Sequence, residues 1–360
     1  MSINFQNFKK IIPGVILALV FYLFSQGINN LLAIEIFGTT KSPISTVLIA
    51  ILLGILMGNA FTPRPGMMIG LDFTQQYILK LGIIFLGIRL SFEELIQFGS
   101  IAIPLIISCI VGVLILIKLL IKKVPISSKM SYLIAIGTSV CGATAIVATA
   151  PVINAKKSEI AYAIANITLF GVIAMIIYPY FAEWYFDNDS IKTGLFLGTS
   201  IHETSQVAAA GLIYDQQFNS PQSLNVATVT KLIRNTFLVI LIPLFAFLYN
   251  RGELKNQNYS ILNIFPYFVI GFIGMIFIRN IGDHFFLPNS NSYDFWINLI
   301  GYLKTLATAF LTMAMAAVGI SINLNELKSM GYKPFIVGLI AAVTVGLISL
   351  IYIETLSKFI

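Results

Sequence analysis

Long apolar runs dominate the chain, and short polar interruptions separate them. They occupy roughly residues 11–30, 43–61, 71–90, 101–121, 131–153, 158–181, 191–214, 226–249, 260–280, 295–322 and 333–356. A helix needs about 20 predominantly apolar residues to cross the hydrocarbon core of a bilayer. The pattern therefore predicts an all-α, polytopic membrane protein with about 9–11 transmembrane segments. The longest interruptions, near 182–190, 250–259 and 281–294, are loops that leave no room for a soluble domain. Residues 1–360 read as one transmembrane domain, with 1–181 and 182–360 as candidate halves.

Composition agrees. Apolar residues make up 58% of the chain and charged residues only 10%, with a mean hydropathy of +0.90. Soluble domains carry about 25% charge, and a chain this poor in it cannot cover a water-facing surface. The first run follows Lys9 and Lys10 as a signal peptide would. It continues into Ser25-Gln26-Gly27-Ile28-Asn29-Asn30 without a small-x-small cleavage pattern and reads as a retained signal-anchor helix. Cys109 and Cys141 imply no disulfide framework, and His202 and His284 cannot build a zinc-type cluster. Phosphate-loop, His-Glu-x-x-His and Gly-x-Ser-x-Gly patterns are absent, so neither an enzyme nor a metal or cofactor is expected. The net charge of +7 fits an excess of Lys and Arg in cytoplasmic loops and not nucleic-acid binding.

Those basic residues set the orientation. Lys9 and Lys10 place the N-terminus inside. One crossing per segment then puts Arg64, the cluster Lys118, Lys122, Lys123 and Lys129, the pair Arg251 and Lys255, and the pair Lys328 and Lys333 inside too. Segments 131–153 and 191–214 disturb the scheme. If both cross, Lys156 and Lys157 fall outside, with Glu183, Asp187 and Asp189 inside. If both are re-entrant, the pattern reverses and obeys the rule. Their length permits a crossing, so charge and length disagree; charge favours two broken or re-entrant helices.

The same two segments echo each other. Gly137-Thr138-Ser139-Val140-Cys141-Gly142-Ala143-Thr144 parallels Gly198-Thr199-Ser200-Ile201-His202-Glu203-Thr204-Ser205. A second echo pairs Gly87-Ile88-Arg89-Leu90-Ser91-Phe92-Glu93-Glu94-Leu95 with Gly319-Ile320-Ser321-Ile322-Asn323-Leu324-Asn325-Glu326-Leu327, at an offset of 232. One copy ends a helix running outward and the other a helix running inward, the signature of inverted repeats. The order of the two echoes is not that of a simple tandem duplication.

Glycine and small hydroxyl residues at membrane depth weaken a helix and can cap a new one. A half-helix starting there leaves backbone N–H groups unpaired at its positive dipole end, which suits an anion. Gly137, Thr138, Ser139, Cys141, Gly142 and Thr144 are candidate substrate-binding residues on this ground, as are Gly198, Thr199, Ser200 and Thr204. The structural alternative is close helix packing through small residues. His202 and Glu203, with Gln206 one turn on, are ionisable or polar groups inside an apolar run. A charge at the bilayer centre costs at least about 2.5 kcal/mol on insertion scales, which marks the pair for proton coupling or substrate binding. The alternative is a pair satisfied by water near the membrane surface. Lys231 and Arg234 share one helical face, and an Arg can fork onto two oxygens of an oxyanion; snorkelling to headgroups is the alternative. Lys304 is a weaker candidate, and snorkelling suits Arg89 and Arg279.

These residues resemble a known family. Cys141-Gly142-Ala143-Thr144-Ala145-Ile146 with Ala150-Pro151-Val152-Ile153 is similar to a stretch of the sulfate exporter family of bacterial inner-membrane proteins. Ile201-His202-Glu203-Thr204-Ser205-Gln206-Val207 looks like its His-acidic-x-x-Gln-Val signature, Lys231-Leu232-Ile233-Arg234 its Lys-Leu-x-Arg, and Ala314-Met315-Ala316-Ala317-Val318-Gly319-Ile320 its late small-residue segment. The likeness runs from about residue 44 to the C-terminus. Glu203 stands where the family has Asp, keeping the charge and changing the reach.

The resemblance implies a secondary transporter of the bacterial plasma membrane, akin to cation/proton antiporters and bile-acid transporters. It would move a small oxyanion, sulfate or a sulfonate, by alternating access coupled to protons or to another ion such as sodium. In that reading Thr138, Ser139, Thr199 and Ser200 present donors, Lys231 and Arg234 supply charge, and His202 and Glu203 handle protons. The lipid bilayer, the anion and the coupling ion are the expected partners, with a homodimer left open. Two alternatives remain: a cation/proton antiporter with Glu203 as the cation site and Lys231 beside it, and a non-transporting receptor or scaffold.

Overall fold

The computed structural model of the chain describes residues 5–36, 42, 44–61, 65–120, 127–249, 266–286, 292–323 and 332–356. These residues are helical almost throughout, with no strand among them. Among the described residues eight helices are long and apolar enough to cross a membrane: Lys10–Ile36, Pro65–Arg89, Phe92–Ile117, Lys157–Phe186, Pro221–Leu244, Phe268–Phe285, Tyr293–Ser321 and Phe335–Thr355. The other three apolar runs differ. Run 43–61 forms the shorter helix Thr46–Ala60, opened by the Ser45 hydroxyl, which accepts the Leu48 N–H at 3.2 Å. Runs 131–153 and 191–214 each break in the middle.

By contact the residues form two compact units interleaved along the chain. The first unit holds helices α1 (Phe5–Leu31), α2 (Thr46–Ala60), α3 (Pro65–Phe73) continued through a π turn into α4 (Leu79–Leu86), and two later helices. Small residues let its backbones approach closely. Gly54 and Gly58 of α2 lie against the main chain at Ala316 and Ile320, and Gly14 of α1 lies against Gly70 of α3.

The second unit contains most of α5 (Phe92–Leu120), α6 (Ser128–Ser139), α7 (Ala143–Thr149), α8 (Lys157–Phe186), α9 (Ser190–Ser200), the start of α10 (Thr204–Phe218), most of α11 (Pro221–Thr236), and α12 (Leu238–Tyr249). After α13 (Phe268–Phe285) and α14 (Tyr293–Ser321), both in the first unit, α15 (Tyr332–Leu356) belongs again to the second.

Within this unit both broken runs are re-entrant hairpins. The first begins and ends at one place: the Ser127 hydroxyl meets Glu159 at the start of α8, and Lys129 Nζ donates to the Asn154 carbonyl at 2.7 Å. A β-carbon on Gly137 would lie 3.1 Å from Ile167 Cγ1, so α6 and α8 pack directly and run in parallel, and α7 leads the chain back to the base. The second repeats the design. Ser223 Oγ, at the start of α11, donates to the Ser190 carbonyl at 3.0 Å. Gly194 faces Val226 and Gly198 faces Thr230, one turn apart along parallel α9 and α11, while Gly211 of the returning α10 abuts Leu224.

This geometry settles the conflict between charge and length in favour of charge. Lys129, Lys156 and Lys157 share the base of the first hairpin. Glu183, Asp187 and Asp189 lie at the far end of α8, where the second hairpin begins. Because α9 turns back from the end of α8, α11 runs opposite to α8, as inverted copies require. Arg64, Lys122, Lys123, Arg251, Lys255 and Lys328, the side chains of Lys9, Lys118 and Lys333, and residues 324–327 of the second echo lie outside the described residues.

The parallel docking of α9 on α11 makes a prediction. A β-carbon on Gly198 would stand 2.8 Å from the Ala227 carbonyl oxygen, whereas nothing lies within 4 Å of one on Gly274. Overpacking of this kind typically costs about 1–3 kcal/mol. Gly198→Leu is expected to lower the melting temperature of the detergent-purified protein, and Gly274→Leu to leave it in place.

Candidate functional site

Each hairpin stops where its first half-helix runs out of backbone partners. At the first tip Val140 has φ −128° and ψ −91°, and Gly142 turns to φ +68°, a region favourable only to glycine. At the second tip Ile201 is extended, at φ −89° and ψ 140°. The last carbonyls of α6 and α9 lose their intrahelical donors at these breaks. In an apolar interior such groups must find other ones.

Lys231 and Arg234, carried by α11 alongside α9, provide them. Lys231 Nζ donates to the carbonyls of Val140 and Ile201, each at 2.9 Å, and to that of His202. Arg234 Nε donates to Ser139 O at 2.8 Å, and its terminal nitrogens to the Thr138 and Thr199 carbonyls. Both side chains are fully buried. An ammonium has three donors, and here all three go to carbonyls. Cations are favoured at helix C-termini by the macrodipole. The sequence assigned this pair to an oxyanion or to lipid headgroups; the structure turns both inward, onto the negative ends of two half-helices.

The second half-helices start at the same place with the opposite polarity. The Glu203 carboxylate accepts the Ala143 N–H at 3.3 Å, across from one hairpin to the other. Its own N–H donates to Gln206 Oε1 at 3.2 Å, and Gln206 Nε2 donates to the Thr168 carbonyl of α8 at 3.3 Å, the amide resting on Gly171. Asn235 Nδ2 donates to Thr204 Oγ1 at 2.9 Å. Around these bonds is a set of buried polar atoms without a partner among the described residues: both ring nitrogens of His202, Thr138 Oγ1, Ser139 Oγ, Thr230 Oγ1 and Asn235 Oδ1. Cys141, Glu203 and Thr204 are part-exposed, and Thr144 is exposed.

The remaining sequence candidates divide. Gly137 and Gly198 serve helix packing. The hydroxyl of Thr199 is held by the Leu195 carbonyl and by Ser349 Oγ, each at 2.7 Å, and that of Ser200 by the Phe196 carbonyl, so neither presents a free donor. Lys304 belongs to the first unit. There too Arg89, expected to snorkel, instead pairs with Asp215 at 2.9 Å, whereas Arg279 pairs with Asp283 in a more exposed position. Sequence reasoning missed Thr168, Gly171 and Ser349. No signal marked them, since each is a single small or hydroxyl residue in an otherwise apolar run.

A family model described as conserved hypothetical protein 698 matches residues 13–338. The chain is 35% identical over 322 residues to a UPF0324 membrane protein of Fusobacterium nucleatum, covering 88% of this chain and 91% of that one. It is 33% identical over 341 residues to a UPF0324 membrane protein of Streptococcus agalactiae, covering 95% and 96%. The UPF0324 inner membrane protein YeiH of Escherichia coli is 33% identical over 304 residues, covering 82% and 81%. These names state a membrane location and no cargo. With its multi-span helical fold, the chain belongs to this UPF0324 family of bacterial membrane proteins.

Proposed function

We propose that the protein is a secondary transporter that carries a small oxyanion, sulfate or sulfonate-like, across the bacterial inner membrane by alternating access. The observation that carries the reading is the meeting of two re-entrant hairpin tips on Lys231 and Arg234. Broken helices whose ends converge within the bilayer are how many secondary transporters build a binding site.

The local charge favours an anion. Each helix end carries about half a charge. The two carbonyl ends and the two N–H ends therefore cancel roughly, leaving two cations against one carboxylate. Even with Glu203 ionised, about one positive charge remains for an anion to neutralise. Thr138, Ser139 and Thr230 offer hydroxyl groups with unused hydrogen-bonding capacity, and His202 offers two ring nitrogens. In this reading Lys231 and Arg234 set the potential and hold the tips, while these neutral groups and the N–H groups at the start of α10 touch the cargo. His202 and Glu203 couple the cycle to protons.

A cation/proton antiporter is the second reading. It is favoured by Glu203, a part-exposed carboxylate at the tips held by a single main-chain N–H.

Proteoliposome flux separates the two readings. Labelled sulfate or a small sulfonate is expected to move down an imposed gradient. Thr230→Val should slow it roughly 10-fold, as loss of one hydrogen bond to a charged group implies. Salt-driven proton flux with no oxyanion present would favour the antiporter instead. His202→Ala is expected to flatten the dependence of flux on pH, and an unaltered pH profile would remove histidine from the coupling.

A further inference from the structure

Lys231 is bonded as a metal ion would be, not as half of an ion pair. Its ammonium touches the main-chain carbonyls of Val140, Ile201 and His202. It makes no ion pair with Glu203, the carboxylate at the same tips. The oxygens are freed from helical pairing by the two breaks and come from both hairpins. Neutral carbonyls converging from several directions are what replaces the hydration shell of a dehydrated alkali cation in a selectivity filter. An ammonium is close in size to a potassium ion, so the cage already has the dimensions of the larger alkali cations.

We propose that these three carbonyls form a monovalent-cation site which the chain fills with its own tethered ammonium, so that Lys231 replaces a dissociable metal ion at the hairpin tips. The wild-type protein therefore holds its tips together without sodium or potassium. Cutting the side chain back exposes a site that takes potassium or ammonium from solution. The cage stands on the hairpin geometry alone. Only its consequence for coupling, flux that is indifferent to replacing sodium with choline, rests on the transport reading.

The test compares melting temperatures of purified wild type, Lys231→Ala and Lys231→Met in potassium, ammonium, sodium and choline chloride at matched ionic strength. Alanine leaves room for an ion at the carbonyls, whereas methionine fills the space with an apolar stem. Lys231→Ala is expected to gain several degrees, saturably, in potassium or ammonium over choline. Lys231→Met and wild type should show no difference between the cations. A folded Lys231→Ala protein indifferent to the cation would overturn the proposal, as would wild type showing the same ion-specific gain. Should Lys231→Ala be lost on extraction, folded yield in potassium against choline gives the same reading. Recovery in potassium supports the site, and equally poor yields reject it. Because these measurements read binding and folding, their failure leaves oxyanion transport standing. Absence of oxyanion flux likewise leaves the cage untouched.

Discussion

Two cations placed on the carbonyl ends of two half-helices hold the second unit together. An apolar medium offers no water to backbone groups released by a helix break, and each unsatisfied group costs several kcal/mol. Val140, Ile201 and His202 on Lys231, with Thr138, Ser139 and Thr199 on Arg234, answer that problem with charge-assisted bonds at the one point where both chains of the problem end. Remove the cations, and the breaks become untenable at this depth. Keep them, and the site acquires a fixed positive potential that no loop movement can withdraw.

The cations are unequally distributed between the two copies. Both come from α11, the helix that follows the second hairpin, and at the tips both hairpins lean on it. The counterpart helix α8 contributes instead the Thr168 carbonyl and the close surface of Gly171, which receive Gln206 of the second hairpin. A repeated architecture has thus specialised: one copy supplies charge and the other shape.

Much of this was legible in the residues. Apolar runs of about 20 marked the spanning helices, and Gly-Thr-Ser at depth marked the breaks, because glycine and hydroxyl residues weaken helices there. The re-entrant path was readable from Lys156 and Lys157 against Glu183, Asp187 and Asp189, since charge reports sidedness while length does not. The partners of Lys231 and Arg234 were not readable. A broken helix presents N–H groups and carbonyls at nearly the same depth, and spacing along the sequence cannot say which of the two a neighbouring cation will meet. The hydroxyls of Thr199 and Ser200 escaped for a related reason: whether a helical hydroxyl faces outward or bonds back to a carbonyl four residues earlier is a rotamer choice.

Gly142 carries one more consequence. It holds the same place in its hairpin as Glu203 does in the other, and the two residues touch: a β-carbon on Gly142 would strike the Glu203 side chain. Residues that contact their own counterparts mark where the axis relating the copies must pass. Glu203 then lies at the pivot of the pseudo-symmetry, with the charged copy on one side and the uncharged copy on the other. The Glu203 side chain thus occupies the space that its glycine counterpart leaves open.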